Sequence, residues 1–175
     1  EGFTLTRRSY QYQHRILNTD WGWVGLLGSD QGLRRTTLPQ LTSGAAVDHL
    51  GFETNQSIEL NGIFPAFEEW LRTFAKGQYR YLDIPLDLRD VPPFYKSVWT
   101  TCREIPVGET RSYAWVARAS GRPKAARAVG QAMAKNNLPL VVPCHRVIDN
   151  DGGLHGFAGG LDLKRWLLEF ESGIS

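Results

Sequence analysis

A proline-rich stretch over residues 82–93 constrains the fold more than any other part of the sequence. Its letters are LDIPLDLRDVPP, with three prolines and alternating aspartate and leucine. Proline disrupts a helix interior and removes a donor from a central strand, so the stretch is predicted to be an extended linker. A chain of 175 residues is long enough for one large domain or two small ones. We therefore predict an N-terminal domain over residues 1–93, ending in this linker, and a second domain over residues 94–175.

The first part of the chain is predicted to be a sheet with helices. Three β-prone runs are separated by the turn-forming letters NTD and GSDQ, which is typical of a three-stranded antiparallel meander. The runs are Tyr12 to Leu17, Trp21 to Leu27 and Gly32 to Leu38. A helix is predicted over residues 65–77, because apolar residues recur there at helical spacing before a glycine.

The second part is predicted to be mainly helical, which makes the whole chain an α/β (α+β) protein. A first helix is predicted from Phe94 to Glu104. Ser112 is predicted to cap a short helix over residues 113–119, and Pro123 to open the next one, which runs to about Asn136. Two short helices joined by a glycine-containing turn form a helix-turn-helix pattern.

Positive charge is concentrated in this second part. Residues 94–135 contain eight lysines and arginines against Glu104 and Glu109, although the net charge of the whole chain is only +2. A local basic segment favours contact with a polyanion such as DNA. A solvated charged face is the alternative.

The second helix of the helix-turn-helix has a surface suited to such a contact. Val129 and Met133 mark its core side, and Arg127 projects away from them. The residues around Arg127 are small: Ala125, Ala126, Ala128 and Gly130. Small residues would let the helix approach a partner closely, and an alanine-rich helix packed on its neighbour is the alternative.

The letters LVVPCHRV, residues 140–147, indicate possible cysteine chemistry. We interpret the apolar run as a buried strand that ends at Cys144. A thiol reacts as its thiolate, so it needs a base or a positive neighbour. His145 could serve only if the chain bends after Pro143, because neighbouring side chains of a strand face apart. A structural cysteine is the alternative, and that is our interpretation of Cys102, the other cysteine.

The last helix carries a carboxylate in an unusual position. Asp162 is predicted to cap this helix at its N-terminus. Its apolar stripe is Leu163, Trp166, Leu167 and Phe170. Glu171 continues the stripe, and a carboxylate on an apolar face needs a partner. We predict a Cys–His–Glu relay, in which Glu171 orients His145 and His145 draws the proton of Cys144. A frayed helix end with Glu171 in solvent is the alternative.

Membrane proteins and metalloproteins are disfavoured. No apolar run approaches the roughly 20 residues that span a bilayer, and the start does not have the pattern of a secretory signal. There is no CxxC or HxxxH motif, and His14, His49 and His155 are scattered. Two cysteines cannot form a disulfide framework and fit a reducing compartment. We predict a cytoplasmic protein without a metal or an organic cofactor.

Four motifs together resemble the O6-alkylguanine-DNA alkyltransferases, repair proteins that move an alkyl group from guanine onto a cysteine. They are VGETRSY (107–113), KAARAVG (124–130), PCHRV (143–147) and GFAGGLDLKRWLL (156–168). The resemblance is strong over about residues 94–171 and looser before them. It implies a monomer that acts once on O6-alkylguanine in duplex DNA, and that is nucleoid-associated in a prokaryote. The base would have to be flipped out, because the O6 substituent lies inside the duplex.

The resemblance also implies roles for the matched residues. Cys144 would accept the alkyl group, activated by His145 through a bound water and by Glu171. Asn136 would hold the turn before the cysteine, and Tyr113 would help to rotate the nucleotide and contact the extruded guanine. Arg127 would fill the space that the nucleotide leaves, and the other implied DNA contacts are Lys124, Ala126 and Gly130. The implied base-pocket residues are Met133, Val147, Phe157, Ala158 and Gly159.

The pocket loop departs from the family pattern. Phe157 and Ala158 stand where many members carry Tyr-Ser, so a hydroxyl that could bond the O6 side of the base is missing. Backbone N–H groups of the loop could replace it. Two other classes compete with this reading: a non-enzymatic DNA-damage binder of the same fold, in which the cysteine is replaced, and a Cys-His-Glu hydrolase that turns over. Counting turnovers separates all three.

Overall fold

A computed structural model describes residues 11–154 and 156–174. The first part contains a four-stranded sheet in the order β3-β2-β1-β4. Its strands are β1 (Tyr12–Thr19), β2 (Gly22–Ser29), β3 (Gly32–Thr36) and β4 (Ser57–Glu59). The first three form the predicted antiparallel meander, with Ile16 opposite Gly25 in the β1–β2 register.

Three elements of the first part escaped prediction: one strand, one α-helix and a 3₁₀ turn over Phe52–Gln56. Strand β4 pairs parallel to β1 over three residues only, too few to show an alternating pattern. Helix α1 (Ser43–Leu50) is short and buries only Ala46 and Leu50, so its apolar stripe is too sparse to detect. Its start could have been found, because the hydroxyl of Thr42 accepts a hydrogen bond from the N–H of Ala45.

Helix α2 (Pro65–Ala75) lies where the apolar spacing placed it. It buries the four predicted residues Phe67, Trp70, Leu71 and Phe74. The chain leaves the helix at Gly77, whose φ of 82° is readily adopted by glycine.

The proline-rich linker is extended over residues 82–88, where it is bound to the sheet. The rest of the predicted stretch is not extended, because residues 89–91 turn and Pro93 is the first residue of the next helix. The N–H of Leu33 donates to the carbonyl of Pro85 at 3.0 Å, and the N–H of Asp87 donates to the carbonyl of Leu33 at 2.8 Å. The linker therefore runs beside β3.

The second part is mainly helical. Its elements are α3 (Pro93–Arg103), β5 (Arg111–Ser112), α4 (Tyr113–Ala119), α5 (Ala126–Ala134), β6 (Val147–Ile148) and α6 (Leu161–Ser172). Strands β5 and β6 form a parallel pair of two residues each, which brings the start of α4 beside the chain that follows the cysteine. The hydroxyl of Ser112 caps α4 as predicted, accepting from the N–H of Trp115 at 3.0 Å.

Two predicted helix starts were wrong. Helix α5 begins at Ala126, not at Pro123, because residues 122–125 form a tight turn closed by a bond from the N–H of Ala125 to the carbonyl of Arg122. Proline suits the second position of such a turn. Helix α6 is preceded by Gly160, with a φ of 88°, so Asp162 lies inside its first turn and does not cap it.

One apolar cluster connects both parts of the chain. Leu26 and Phe74 from the first part and Val98, Val129 and Leu167 from the second belong to it, and all five are fully buried. The domain boundary near residue 93 stays a prediction. In the part of the chain that the structure describes, no helix has the length and apolar character to cross a membrane.

Candidate active site

The segment before Cys144 is a tight turn, not the predicted strand. Leu140 has a φ of 73°, a left-handed conformation that costs a branched residue about 1–2 kcal/mol. The N–H of Val142 donates to the carbonyl of Leu138 at 2.8 Å, which closes the turn. A strand cannot contain such a reversal, and apolar content alone does not distinguish the two.

Asn136 holds this turn through both ends of its amide. Its Oδ1 accepts from the N–H of Leu138 at 2.9 Å, and its Nδ2 donates to the carbonyl of Val142 at 2.9 Å. The same Nδ2 lies 3.2 Å from Sγ of Cys144. A single side chain therefore links the end of α5, the turn and the thiol.

Cys144 and His145 occupy a short 3₁₀ turn over Cys144–Arg146, which follows Pro143. Successive side chains of a 3₁₀ helix project about 120° apart, so neighbours can face different surroundings. Cys144 lies on the wall of a cavity, whereas His145 and Arg146 are directed into the protein and are both 1% exposed. The chain therefore bends after Pro143. The predicted action of His145 on Cys144 requires this bend.

Glu171 is fully buried and binds both inward-facing residues. Nε2 of His145 lies 2.6 Å from Oε1 of Glu171. Arg146 donates from Nε to Oε2 at 2.8 Å and from Nη2 to Oε1 at 2.9 Å. Burial alone would raise the pKa of Glu171, but the bonds from His145 and Arg146 outweigh it and hold that pKa at about 2. The frayed-end alternative is therefore wrong.

His145 is held in its neutral form. Burial lowers the pKa of the imidazole, and it outweighs the opposite effect of the Glu171 carboxylate. Because an ionised carboxylate only accepts hydrogen bonds, the single ring hydrogen is assigned to Nε2 and the lone pair to Nδ1. Nδ1 of His145 is therefore unprotonated and can accept a proton.

The Cys144 thiol is protonated at neutral pH. Burial raises its pKa, while the hydrogen bond from Asn136 and the charge of Lys164 act in the opposite direction. No hydrogen bond joins the thiol directly to the His145 ring, both of which lie in the described part of the chain. A base must act when the thiol reacts, since the resting form is the weak nucleophile.

A cavity of about 760 Å³ opens beside the thiol. Its described lining is Tyr113, Ala114, Ala126, Arg127, Gly130, Met133, Ala134, Cys144, Asp149, Asn150, Gly156, Phe157 and Ala158. Most of this wall is apolar, as is typical of sites that bind small organic groups. The first turn of α4, helix α5 along its whole length and the loop before α6 all contribute to this lining.

Three of the residues proposed for the base pocket or for DNA contact lie off this wall. Val147 is fully buried, and its carbonyl accepts from Nζ of Lys164 at 2.7 Å. Gly159 is exposed, and a Cβ there would meet Leu38 and Leu163 at 2.7 Å, so its place is set by packing. Lys124 is exposed in the turn before α5. Met133, Phe157 and Ala158 do line the cavity.

Helix α5 presents the surface that its sequence suggested. Val129 is fully buried and Met133 is 8% exposed, whereas Arg127 is exposed at the mouth of the cavity. Among the described residues, the Arg127 side chain has no hydrogen-bond or ion-pair partner. A cationic side chain without a protein partner can reach a ligand that enters the cavity.

The described residues contain no group of three or more His, Cys, Asp or Glu placed to hold a metal ion. His155 lies outside the described residues. That the protein needs neither metal nor cofactor stays a prediction.

Comparison with known proteins identifies the family. Residues 93–173 match the model of the 6-O-methylguanine DNA methyltransferase DNA-binding domain. The chain is 35% identical to the methylated-DNA–protein-cysteine methyltransferase of Methanosarcina acetivorans, over 90% of this chain and 97% of that one. It is 39% identical to the protein of that name from Mycolicibacterium paratuberculosis, over 91% and 92%.

The chain belongs to the methylated-DNA–protein-cysteine methyltransferase family. The family resemblance and the enzyme class predicted from the four motifs are confirmed. The fold agrees with that of this methyltransferase family. A crystal structure of Mycobacterium tuberculosis O6-methylguanine methyltransferase matches with a TM-score of 0.78 at 34% identity, covering 94% of each chain. A structure of M. tuberculosis OGT in complex with DNA matches with a TM-score of 0.79.

Sequence reasoning missed two charged residues of this methyltransferase site. Lys164 is fully buried, 5.9 Å from the ring centroid of Phe157, and burial lowers the pKa of its ammonium group. Arg146 is the second residue bound to Glu171 and carries a permanent positive charge. A signal for the lysine existed, because Lys164, Leu167 and Glu171 recur at helical spacing and are the buried residues of α6. None existed for Arg146, whose partner comes from a distant helix.

Proposed function

We propose that this methyltransferase transfers the alkyl group of O6-alkylguanine in duplex DNA to Sγ of its own Cys144, irreversibly and once per molecule. The observation that carries the proposal is the position of Cys144, on the wall of a cavity that also borders the helix bearing Arg127. Membership of the family supports the reaction class, and the M. tuberculosis OGT structure in complex with DNA supports the partner.

The sulfur attacks the alkyl carbon directly. A sulfur lone pair forms the S–C bond while the C–O6 bond breaks. The electron pair of the broken C–O6 bond stays on O6 of the guanine. The thiol loses a proton and the guanine gains one, so the exchange is balanced without a cofactor. The product is a thioether, which ordinary thiol exchange does not cleave because it contains no S–S bond. Each molecule would therefore act once.

The buried relay supplies the base for this step. His145 would take the thiol proton at Nδ1 through one water molecule, since no direct bond links the two side chains. Glu171 would stabilise the charged imidazole that forms, and Arg146 would keep that carboxylate ionised throughout. Asn136 would hold the sulfur toward the cavity. A positioned base of this kind typically contributes about 10²–10⁴-fold to a rate.

The cavity is proposed to receive a guanine that has left the duplex. A base stacked in DNA cannot reach Cys144, so the nucleotide must rotate out at a cost of a few kcal/mol. Arg127 would occupy the vacated stack, and Tyr113, which also lines the cavity, would contact the extruded nucleotide. Ala126 and Gly130 would let α5 lie close to the DNA backbone, which suits the minor groove. Lys124 would bind a phosphate outside the cavity.

Intact mass spectrometry tests the reaction. After incubation with an excess of duplex O6-methylguanine, the protein should gain one methyl group, mapped to Cys144, and consumption of substrate should stop at one equivalent. Cys144→Ser should gain nothing. Continued consumption of substrate by unmodified protein would overturn the proposal and favour a hydrolase.

We also propose different roles for the two parts of the chain. Residues 94–175 contain every side chain given a chemical role above, so residues 1–93 would form a support domain. We further propose that the protein acts as a cytoplasmic monomer.

A further inference from the structure

The sheet of the first part holds the turn that precedes the nucleophile. The backbone N–H of Thr36, the last residue of β3, donates to the carbonyl of Asn137 at 3.0 Å. Its hydroxyl donates to the carbonyl of Pro139 at 2.8 Å. Thr36 is only 6% exposed, and its partners Asn137 and Pro139 are half-buried. Two bonds from one residue fix the turn at two points.

The turn needs such support because its conformation is unfavourable. Leu140 keeps a left-handed backbone conformation although it is neither glycine nor asparagine. Unfavourable conformations of this kind persist only where the surrounding structure over-determines them. The bonds made by Asn136 constrain the turn from within, at Leu138 and Val142. Those made by Thr36 constrain it from outside, at Asn137 and Pro139.

The position of the turn affects the sulfur directly. Nδ2 of Asn136 is shared between the carbonyl of Val142 and Sγ of Cys144, at 2.9 and 3.2 Å. If residues 137–139 relax, Val142 moves relative to Asn136, and the shared amide cannot keep both bonds. A thiol sulfur is a weaker acceptor than a backbone carbonyl, so we expect the contact with the sulfur to be lost first.

We propose that Thr36 is a positioning residue for alkyl transfer, which acts from the first part of the chain through residues 137–139 on the Asn136–Cys144 contact. The inference rests on the proposed role of Cys144 as the alkyl acceptor. It assigns the support domain a specific task in the reaction, beyond contributing apolar surface to the core.

Thr36→Val is the decisive variant. It keeps the shape of the side chain and the backbone N–H but removes the hydroxyl bond to Pro139. Thr36→Ser restores a hydroxyl. Thr37→Val is the matched control: Thr37 is 2% exposed, and its hydroxyl accepts from the N–H of Gly25 within the first part at 2.9 Å, with no bond to residues 137–139. Thr36→Ala serves as a second test variant if the valine variant does not fold.

Two rates are measured for each variant, well below its unfolding temperature. The first is methyl transfer from duplex O6-methylguanine. The second is alkylation of Cys144 by iodoacetamide as a function of pH, mapped by mass spectrometry so that buried Cys102 is excluded. The second rate reports the ionisation of the thiol without DNA, so a loss of stability alone would not move its pH profile.

We expect Thr36→Val to slow methyl transfer about tenfold and to move the iodoacetamide profile of Cys144 to higher pH, because the Asn136 bond favours the thiolate. Thr36→Ser and Thr37→Val should both behave like the wild type. If Thr36→Val and Thr37→Val give the same rates and profiles, the positioning role is wrong. If wild-type Cys144 gains no methyl group from DNA, the proposed function fails, while the iodoacetamide profiles still decide the role of Thr36.

Discussion

Glu171 binds His145 and Arg146 at the same time, with His145 Nε2 at 2.6 Å from Oε1 and Arg146 Nε at 2.8 Å from Oε2. Burial is the main reason that the pKa of His145 is low and that its imidazole stays neutral. The charge of Arg146 adds to this effect and balances the carboxylate, so the histidine is available as a base. A carboxylate bound to the histidine alone would favour a charged imidazole in the resting protein. The relay thus depends on Arg146 as well as on the residues that the sequence suggested.

Glu171→Gln should slow transfer about 100-fold, a loss typical of a disrupted acid–base relay. The amide cannot stabilise a charged imidazole, so removal of the thiol proton becomes harder and the apparent pKa of Cys144 should rise. Stopped-flow rates with duplex O6-methylguanine and with free O6-benzylguanine should fall by similar factors. Glu169→Gln, at an exposed position on the same helix, is the control and should leave both rates unchanged. An unaltered rate with the free base would exclude the relay.

The free energy of unfolding should decrease in two stages as the pH is lowered. Burial depresses the pKa of His145 below its ordinary value near 6.5, so neutral His145 stabilises the fold above that pH and the contribution is lost below it. The pKa of Glu171 is about 2 against an ordinary 4.5. Its contribution, about 3 kcal/mol, is present above pH 4.5 and is lost as the pH falls toward 2.

Urea titrations from pH 7 to pH 3 measure this dependence. The variant Glu171→Gln should be less stable than the wild type at pH 7, by about 3–5 kcal/mol, because it leaves the buried Arg146 without an anion. Its stability should also change less with pH. An equal slope for both proteins between pH 4.5 and pH 3 would contradict the assignment to Glu171.

Much of the second part was predictable because its signals are local. The cap at Ser112 and the buried side of α5 follow from a few neighbouring residues, and the relay partner Glu171 followed from its place on the apolar stripe of α6. The turn before Cys144 was not predictable, because its left-handed Leu140 is supported by Asn136 and by Thr36, about one hundred residues earlier in the chain. Short strand β4 and the Arg146–Glu171 pair depend on contacts of the same non-local kind.

Lys164→Met should raise the pKa of the Cys144 thiol. The buried ammonium group of Lys164 favours the nearby thiolate, and methionine keeps the length of the side chain without the charge. The pH profile of iodoacetamide alkylation should therefore move upward, and methyl transfer at pH 7 should slow. Lys135→Met removes an exposed charge just after α5 and controls for net charge. Identical profiles for the two variants would show that Lys164 acts only in packing.

Binding to DNA should be strongly salt-dependent even without reaction. The variant Cys144→Ser cannot be alkylated at sulfur, so fluorescence anisotropy with labelled duplex measures binding alone. Contacts between the basic helix-turn-helix and phosphates would release counterions, and the affinity should fall linearly on a log–log plot against salt. Lys124→Ala should weaken binding equally for alkylated and unmodified duplex and should reduce the slope by about one. Affinity that does not change with salt would argue against a phosphate-contacting surface.

Arg127→Ala should separate base extrusion from chemistry. Arg127 is exposed at the mouth of the cavity and is proposed to fill the stack, which offsets an unpairing cost of a few kcal/mol. Its loss should slow repair of duplex O6-methylguanine by about 100-fold or more, but should hardly affect reaction with free O6-benzylguanine, which needs no extrusion. The measured quantity is the ratio of the two rates within each variant, so that a general loss of stability cancels in part. Arg165→Ala, at an exposed position of α6 outside the cavity lining, is the control and should keep the wild-type ratio. Equal slowing of both substrates by Arg127→Ala would assign this arginine a structural role and leave extrusion to other residues.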